Sequence, residues 1–183
     1  MSDHPAQVAA WLAATATFLV TALKVLAELR QSREQRQAEL RWKQAEAGKA
    51  LNDEMQTDER AWPAMQMLDS DQRTFNVGED VRLTVTQADI RAALDPGTES
   101  TAVVEFIRDC FDTWFYFLAM LDHYIDTGLI RPEDVAYPTE YYVPLLARHR
   151  LQVDKYLAHY GLSKVQGYLR RHPEWGQTDG AAA

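Results

Sequence analysis

An apolar run near the N-terminus is the feature that most constrains the fold of this chain. The run extends from Val8 to Leu26, contains one charged residue, Lys24, and continues without a proline into a charged stretch from Arg30 to Arg60. As a helix it would be roughly 28 Å long, close to the roughly 30 Å hydrocarbon core of a bilayer. Its Leu, Val and Phe side chains favour insertion by roughly 2.4 to 4.8 kcal/mol. The run predicts a transmembrane helix, with a helix buried in a soluble bundle as the alternative.

The charges that flank the run predict its orientation. No Lys or Arg precedes it, whereas Arg30, Arg33 and Arg36 follow it closely. The positive-inside rule then places the N-terminus outside and the rest of the chain in the cytoplasm. A cleaved signal peptide fits less well, because the first residues carry no positive charge.

Individual residues of the run are predicted to meet lipid or a second copy of the helix. The predicted membrane-anchor residues are Val8, Trp11, Phe18, Leu23 and Lys24. Small residues at four-residue spacing would let a second helix approach closely, and they predict a homo-oligomer. The residues of this self-association face are Ala9, Ala13, Thr17 and Thr21.

The segment that follows predicts a polar helical stalk. It is dominated by Arg, Gln, Glu, Ala and Lys, which are good helix formers. Leu40, Ala47, Leu51 and Met55 make only a thin apolar stripe, and a regular heptad of large residues is absent, so a long coiled coil is not favoured. The segment is either a spacer or partner helix, or a helix whose stripe packs on its own domain.

The remaining sequence predicts a compact helical domain with a small β-hairpin. Two β-prone segments, 73–77 and 81–85, are separated by a three-residue loop. Thr86 is the predicted N-cap of a short helix, and the strongest helical pattern, 102–127, is predicted to form the centre of the domain. The predicted organisation is mainly α: membrane anchor helix 1–29, polar helical stalk 30–61, cytoplasmic helical domain 62–175 and disordered tail 176–183.

Composition argues against several classes of function. The net charge of −8 argues against a nucleic-acid binder with a basic surface. A single cysteine, Cys110, excludes an intramolecular disulfide and a zinc site built from several cysteines, and its place on the apolar stripe predicts a buried core residue. Asp122, His123 and Asp126 lie together on the core helix, but the Glu-x-x-His signature of di-metal bundles is absent. No metal, cofactor or catalytic residue is predicted.

The order of these features resembles a bacterial family of uncharacterised membrane-anchored helical proteins. The resembling parts are the N-terminal apolar helix with its charged extension and the segment VVEFIRDCFDTWFYFLAMLDHYIDTGLIRPEDV. In that family an apolar helix likewise ends in Gly followed by Leu or Ile, and a short acidic helix and an aromatic-rich segment follow. The resemblance implies the fold and a single-pass anchor in the bacterial inner membrane, and it leaves the function open.

The leading functional prediction is a membrane-tethered, non-enzymatic interaction or scaffold module. Its predicted partners are the lipid bilayer, a second copy through the anchor helix and an unidentified protein. The alternative is an enzyme or small-ligand sensor with a pocket between the core helix 102–127 and the Tyr141–Tyr142 segment. The aromatic candidates for ligand binding are Trp114, Tyr124, Tyr141 and Tyr142, which would otherwise be core residues.

Overall fold

The computed structural model describes residues 4–78 and 81–176, with side chains from residue 19 onward except those of residues 20, 22 and 176. The mainly α class with a small hairpin is confirmed. The elements in chain order are α1 (His4–Thr57), α2 (Ala61–Leu68), β1 (Gln72–Asn76), β2 (Arg82–Thr86), α3 (Gln87–Ala93), α4 (Ala102–Asp126), a 3-10 helix (Pro132–Asp134), α5 (Ala136–Ala147), α6 (Arg150–His159), α7 (Ser163–Arg170) and α8 (Pro173–Gly176).

The chain divides into two compact units, residues 1–43 and 44–183. In the first unit, the described side chains of α1 from Leu23 to Lys43 are exposed, apart from half-buried Ser32. Residues one helical turn apart form ion pairs on this exposed surface, for example Lys43 with Glu39 at 2.8 Å.

The predicted anchor falls mostly on side chains that lie outside the described residues. These include Val8, Trp11 and Phe18 of the membrane-anchor set, and Ala9, Ala13 and Thr17 of the self-association set. The other three predicted residues, Leu23, Lys24 and Thr21, are exposed. Lys24 forms an ion pair with Glu28 at 4.0 Å. No helix among the described residues is long and apolar enough to cross a membrane.

The second unit begins with the last turns of α1, which enter its core. Leu51 and Met55 are buried there. Gly48 lies against the 3-10 helix, where a Cβ atom in its place would be 3.0 Å from the Cβ of Asp134. A Cβ atom at this position would require Asp134 to shift by a few tenths of an ångström. The apolar stripe predicted on the stalk therefore packs on the domain in its C-terminal half, whereas Leu40 is exposed.

The predicted hairpin forms, and its strands lie within one residue of the β-prone segments 73–77 and 81–85. β1 and β2 are antiparallel, and Phe75 pairs with Leu83 in the register. Phe75 is buried against the ring of Phe106 in α4, with ring centroids 5.6 Å apart. The hairpin leads directly into α3, whose N-terminus is capped by Thr86: its hydroxyl accepts from the amide of Asp89 at 3.3 Å, and Asp89 Oδ2 accepts from the amide of Thr86 at 2.8 Å.

Helix α4 is the centre of the second unit, as predicted. Thr101 caps its start by accepting from the amide of Val104 at 3.3 Å, and Gly128 follows its end with a positive φ of 71° that favours glycine. Helices α2, α3 and α7 pack against it. The buried face of α4 includes Ile107, Cys110, Phe111, Trp114, Phe115, Leu118 and Leu121.

Candidate functional site

A cavity of about 870 Å³ lies where the end of α4, the start of α5 and the segment from α7 to α8 meet. Ile125, Val135 and Ala136 supply apolar surface to its wall. Its charged or titratable lining residues are Asp126, Glu133, Glu140, Arg171, His172 and Glu174. The volume falls in the range of about 300–1,000 Å³ that is usual for small-molecule sites.

This cavity is the larger of two that border α4 in the described part of the chain, and some of its charged side chains form ion pairs with other residues of the protein. Arg171 forms an ion pair with the buried carboxylate of Asp122 on α4, and its guanidinium lies 5.8 Å from the centre of the Tyr168 ring. Glu133 pairs with Arg131 at 3.1 Å. The ion pair between Arg171 and Asp122 holds the chain that follows α7 against α4, so Arg171 stabilises the wall of the cavity.

The remaining carboxylates make the larger cavity acidic. Within the described residues, no ion pair neutralises Asp126, Glu140 or Glu174. Burial, together with the charge of Arg171, lowers the pKa of His172 and favours its uncharged form, although the charges of Glu174 and Glu140 act in the opposite direction. The arrangement therefore favours a ligand that carries a positive charge.

The one threonine hydroxyl among the described side chains that line the larger cavity is bonded to the backbone. The hydroxyl of Thr139 donates to the backbone carbonyls of Val135 and Ala136, at 2.8 and 2.9 Å. In the described part of the chain, no three His, Cys, Asp or Glu side chains are grouped so that they could hold a metal ion.

A smaller cavity of about 240 Å³ lies on another face of α4. Its wall contains the aromatic rings of Phe115, Tyr116 and Tyr160 together with the carboxylate of Asp112. Asp112 accepts a hydrogen bond from the buried Tyr156 hydroxyl at 2.9 Å. Burial raises the pKa of Asp112, and the hydrogen bond from Tyr156 partly offsets that rise.

The four aromatic residues predicted to bind a ligand do not form one site, although the rings of Tyr141 and Tyr142 contact each other with a centroid separation of 4.9 Å. Trp114 is buried and stacks on Phe115, with ring centroids 6.2 Å apart and an interplanar angle of 21°. Tyr142 is buried, Tyr141 is exposed and donates its hydroxyl proton to Asp69, and Tyr124 is half-buried. None of the four lines either cavity. The larger cavity does lie between α4 and the first turns of α5, the helix that carries Tyr141 and Tyr142, but other charged and apolar side chains line it in place of these two rings.

The cysteine of the chain is buried, as predicted. Cys110 is inaccessible to solvent in the core, and burial raises the pKa of its thiol to about 12. Since the thiolate is the reactive form, this side chain is not available as a nucleophile at neutral pH.

A buried histidine that no sequence motif indicates joins three parts of the second unit. His149 Nε2 lies 2.7 Å from Gln87 Oε1. The Gln87 side-chain amide donates to the carbonyls of Met67 and Ser70, at 2.9 and 2.6 Å, so its oxygen is the acceptor for the histidine. This network links the start of α3 to the end of α2 and the start of α6, and its role is structural.

Neither cavity carries a recognised chemical signature, and the resemblance to membrane-anchored bacterial proteins stays a prediction. The functional assignment therefore depends on the residues and contacts described above. The chain matches no protein-family model, no curated protein and no solved structure.

Proposed function

We propose that this protein is a membrane-tethered interaction module whose N-terminal helix is the tether and whose second unit meets a protein partner. The observation that carries the proposal is a group of exposed large apolar side chains on α1. Leu19, Leu23, Val25, Leu26 and Leu29 are 61%, 65%, 48%, 55% and 52% exposed. Such a concentration on one short segment is unusual for a surface that faces only water.

The sequence around this apolar group supports lipid as its partner. It continues the apolar run that begins at Val8, and Arg30, Arg33 and Arg36 follow it at once. Basic residues beside an apolar segment interact favourably with the anionic headgroups of the cytoplasmic leaflet. The proposal places the tether in a bacterial inner membrane with the N-terminus outside, and it includes self-association through the small residues Ala9, Ala13, Thr17 and Thr21.

Aspartate substitutions on the apolar helix test this proposal. Near the bilayer centre each aspartate costs about 2.5 to 3.5 kcal/mol, which is comparable to the whole gain of roughly 2.4 to 4.8 kcal/mol from the apolar side chains. The combined variant Leu19→Asp and Leu23→Asp should therefore be released from sedimented membranes by an alkaline carbonate wash, whereas the wild-type chain stays in the pellet.

A matched variant controls for the added charge. Leu40 and Leu151 are as exposed as the two test residues, and Leu40→Asp with Leu151→Asp adds the same charge outside the apolar run. This control should remain in the membrane pellet. Release of the wild-type chain by the wash, or equal retention of both double variants, would contradict the proposal.

The larger cavity favours a second candidate function, a sensor of a small cationic molecule. Its volume of about 870 Å³ and its carboxylates Asp126, Glu140 and Glu174, which no ion pair among the described residues neutralises, are the observations that favour this function. Spermidine is a suitable probe, because it combines several positive charges with an apolar chain. A melting temperature that rises with spermidine in the wild type but not in Glu140→Gln with Glu174→Gln would support this function, and equal responses would contradict it.

A further inference from the structure

The smaller cavity combines aromatic walls with one carboxylate. It is formed by Phe115 and Tyr116 on α4 and by Tyr160 directly after α6, with Asp112 one turn before Tyr116. Tyr116 and Tyr160 are exposed, so a solute can reach the cavity from water. The opening and the three rings belong to the same compact unit.

Two of the three rings are held in place by the core behind them. Phe115 contacts Trp114 and Tyr156, each with a centroid separation of 6.2 Å. Tyr160 contacts Tyr156 with a centroid separation of 4.6 Å. Their positions are therefore set before any ligand arrives, which lowers the entropy cost of binding.

The carboxylate of Asp112 is the charged group of this cavity. It accepts a hydrogen bond from Tyr156, and none of the described cations forms an ion pair with it. Arg108, one turn earlier on α4, donates instead to the backbone carbonyls of Ala93, Asp95 and Thr98. The negative charge of Asp112 therefore remains available to a ligand.

These features fit one class of ligand. The face of an aromatic ring attracts a cation, and aromatic cages are the usual means of binding quaternary ammonium groups. Such a group cannot donate hydrogen bonds, so it suits a wall of aromatic side chains with one carboxylate, in which Tyr116 and Tyr160 are exposed and Phe115 is buried. Ala119, Leu162 and Val165 complete the wall with apolar surface for the methyl groups. A cavity of about 240 Å³ suits a headgroup of this kind better than a larger molecule.

We propose that the cavity lined by Asp112, Phe115, Tyr116 and Tyr160 binds a trimethylammonium group. This site is separate from the membrane tether and from the larger cavity, and it does not rest on the proposed function. The same group occurs in free choline and in the choline headgroup of lipids, so the two sources must be compared directly.

Titration of the full-length chain in a maltoside detergent tests the site. Binding is followed by the line width of the ligand methyl protons in NMR spectra, with choline as the free molecule and glycerophosphocholine as the soluble headgroup. We expect saturable binding. The compound that binds more tightly, choline or glycerophosphocholine, identifies the source of the trimethylammonium group that the site recognises. The neutral isostere 3,3-dimethyl-1-butanol should bind about two- to thirtyfold more weakly than choline, since it lacks the positive charge.

Substitutions separate the aromatic contribution from simple apolar contact. The double variant Tyr116→Leu with Tyr160→Leu should weaken choline binding by the same factor of about two to thirty. The double variant Tyr116→Phe with Tyr160→Phe should retain choline binding because it keeps both aromatic rings. The control Tyr137→Leu changes an exposed tyrosine outside the cavity and should bind as the wild type does. Near-UV circular dichroism checks that each variant is folded.

The charge of Asp112 has its own test. Asp112→Asn removes the charge and keeps a carbonyl oxygen that can accept the hydrogen bond from Tyr156, so the fold is retained while choline binding weakens. Glu105→Gln removes an exposed charge of the same helix outside the cavity and should leave choline binding unchanged. The proposal would be overturned if neither choline compound bound saturably, if the neutral isostere bound as tightly as choline, or if the leucine or asparagine variants retained wild-type affinity.

Discussion

Protonation of His149 should destabilise the second unit in mildly acidic solution. The ring is buried, its Nε2 is bonded to Gln87, and its Nδ1 has no hydrogen-bond partner among the described residues. Burial, with a smaller contribution from the positive charges of Arg91 and Arg148, lowers the pKa of His149 from 6.5 to about 4. The folded chain therefore holds this histidine in its neutral form at pH values where the unfolded chain is protonated.

The direction and size of the effect follow from proton linkage. Between pH 6.5 and about 4 the unfolded chain binds a proton that the folded chain does not, so the free energy of unfolding falls as the pH decreases. The contribution of His149 is complete above pH 6.5 and is lost by about pH 4. At about 1.4 kcal/mol per pH unit the loss amounts to about 3 kcal/mol.

Urea unfolding of the full-length chain, followed by near-UV circular dichroism at several pH values between 7 and 4, measures this effect. His149→Gln introduces a side chain that stays neutral across this range and can still donate to Gln87. The wild type should lose about 3 kcal/mol more stability than this variant between pH 7 and 4. His159→Gln removes an exposed histidine and should keep the pH dependence of the wild type. Equal pH dependence in the wild type and His149→Gln would refute the reasoning.

Three further outcomes follow from the second unit. Cys110 should resist thiol reagents at pH 8 in the folded chain and react fully in urea, because burial raises the pKa of its thiol to about 12; rapid labelling of the folded chain would contradict its burial. Tyr156→Phe removes the hydrogen bond to Asp112 and should lower the free energy of unfolding by about 1.5 to 3 kcal/mol, so an unchanged urea midpoint would argue against that bond. Thr101→Ala removes the cap of α4 and should cost about 0.5 to 2 kcal/mol in the same assay, whereas Thr101→Ser, which keeps a hydroxyl, should cost less.

The elements that sequence patterns predicted well are those that depend on neighbouring residues. The hairpin follows from two β-prone segments around a short loop, and the cap of α3 follows from Thr86 with Asp89 three residues later. The core helix was predicted as 102–127 and is observed as Ala102–Asp126, because both of its ends carry local signals, a capping threonine and a glycine.

The cavities and the buried polar network could not be predicted in this way, since their residues are distant in the sequence. Gln87 and His149 are 62 positions apart, and neither has a neighbouring residue that indicates the other. The larger cavity likewise depends on the meeting of α4 with α5 and of both with α7 and α8. Residue type does not distinguish a core ring such as Trp114 from a cavity wall such as Tyr116, so the sequence does not indicate which aromatic residues line a cavity.

The most direct test of the central claim, membrane attachment through the N-terminal helix, is a comparison of the full-length chain with one that begins at Arg30. Both are expressed in bacteria, and their distribution between the soluble fraction and carbonate-washed membranes is measured. We expect the full-length chain in the washed membranes and the shortened chain in the soluble fraction. Recovery of the full-length chain in the soluble fraction without detergent would contradict the claim.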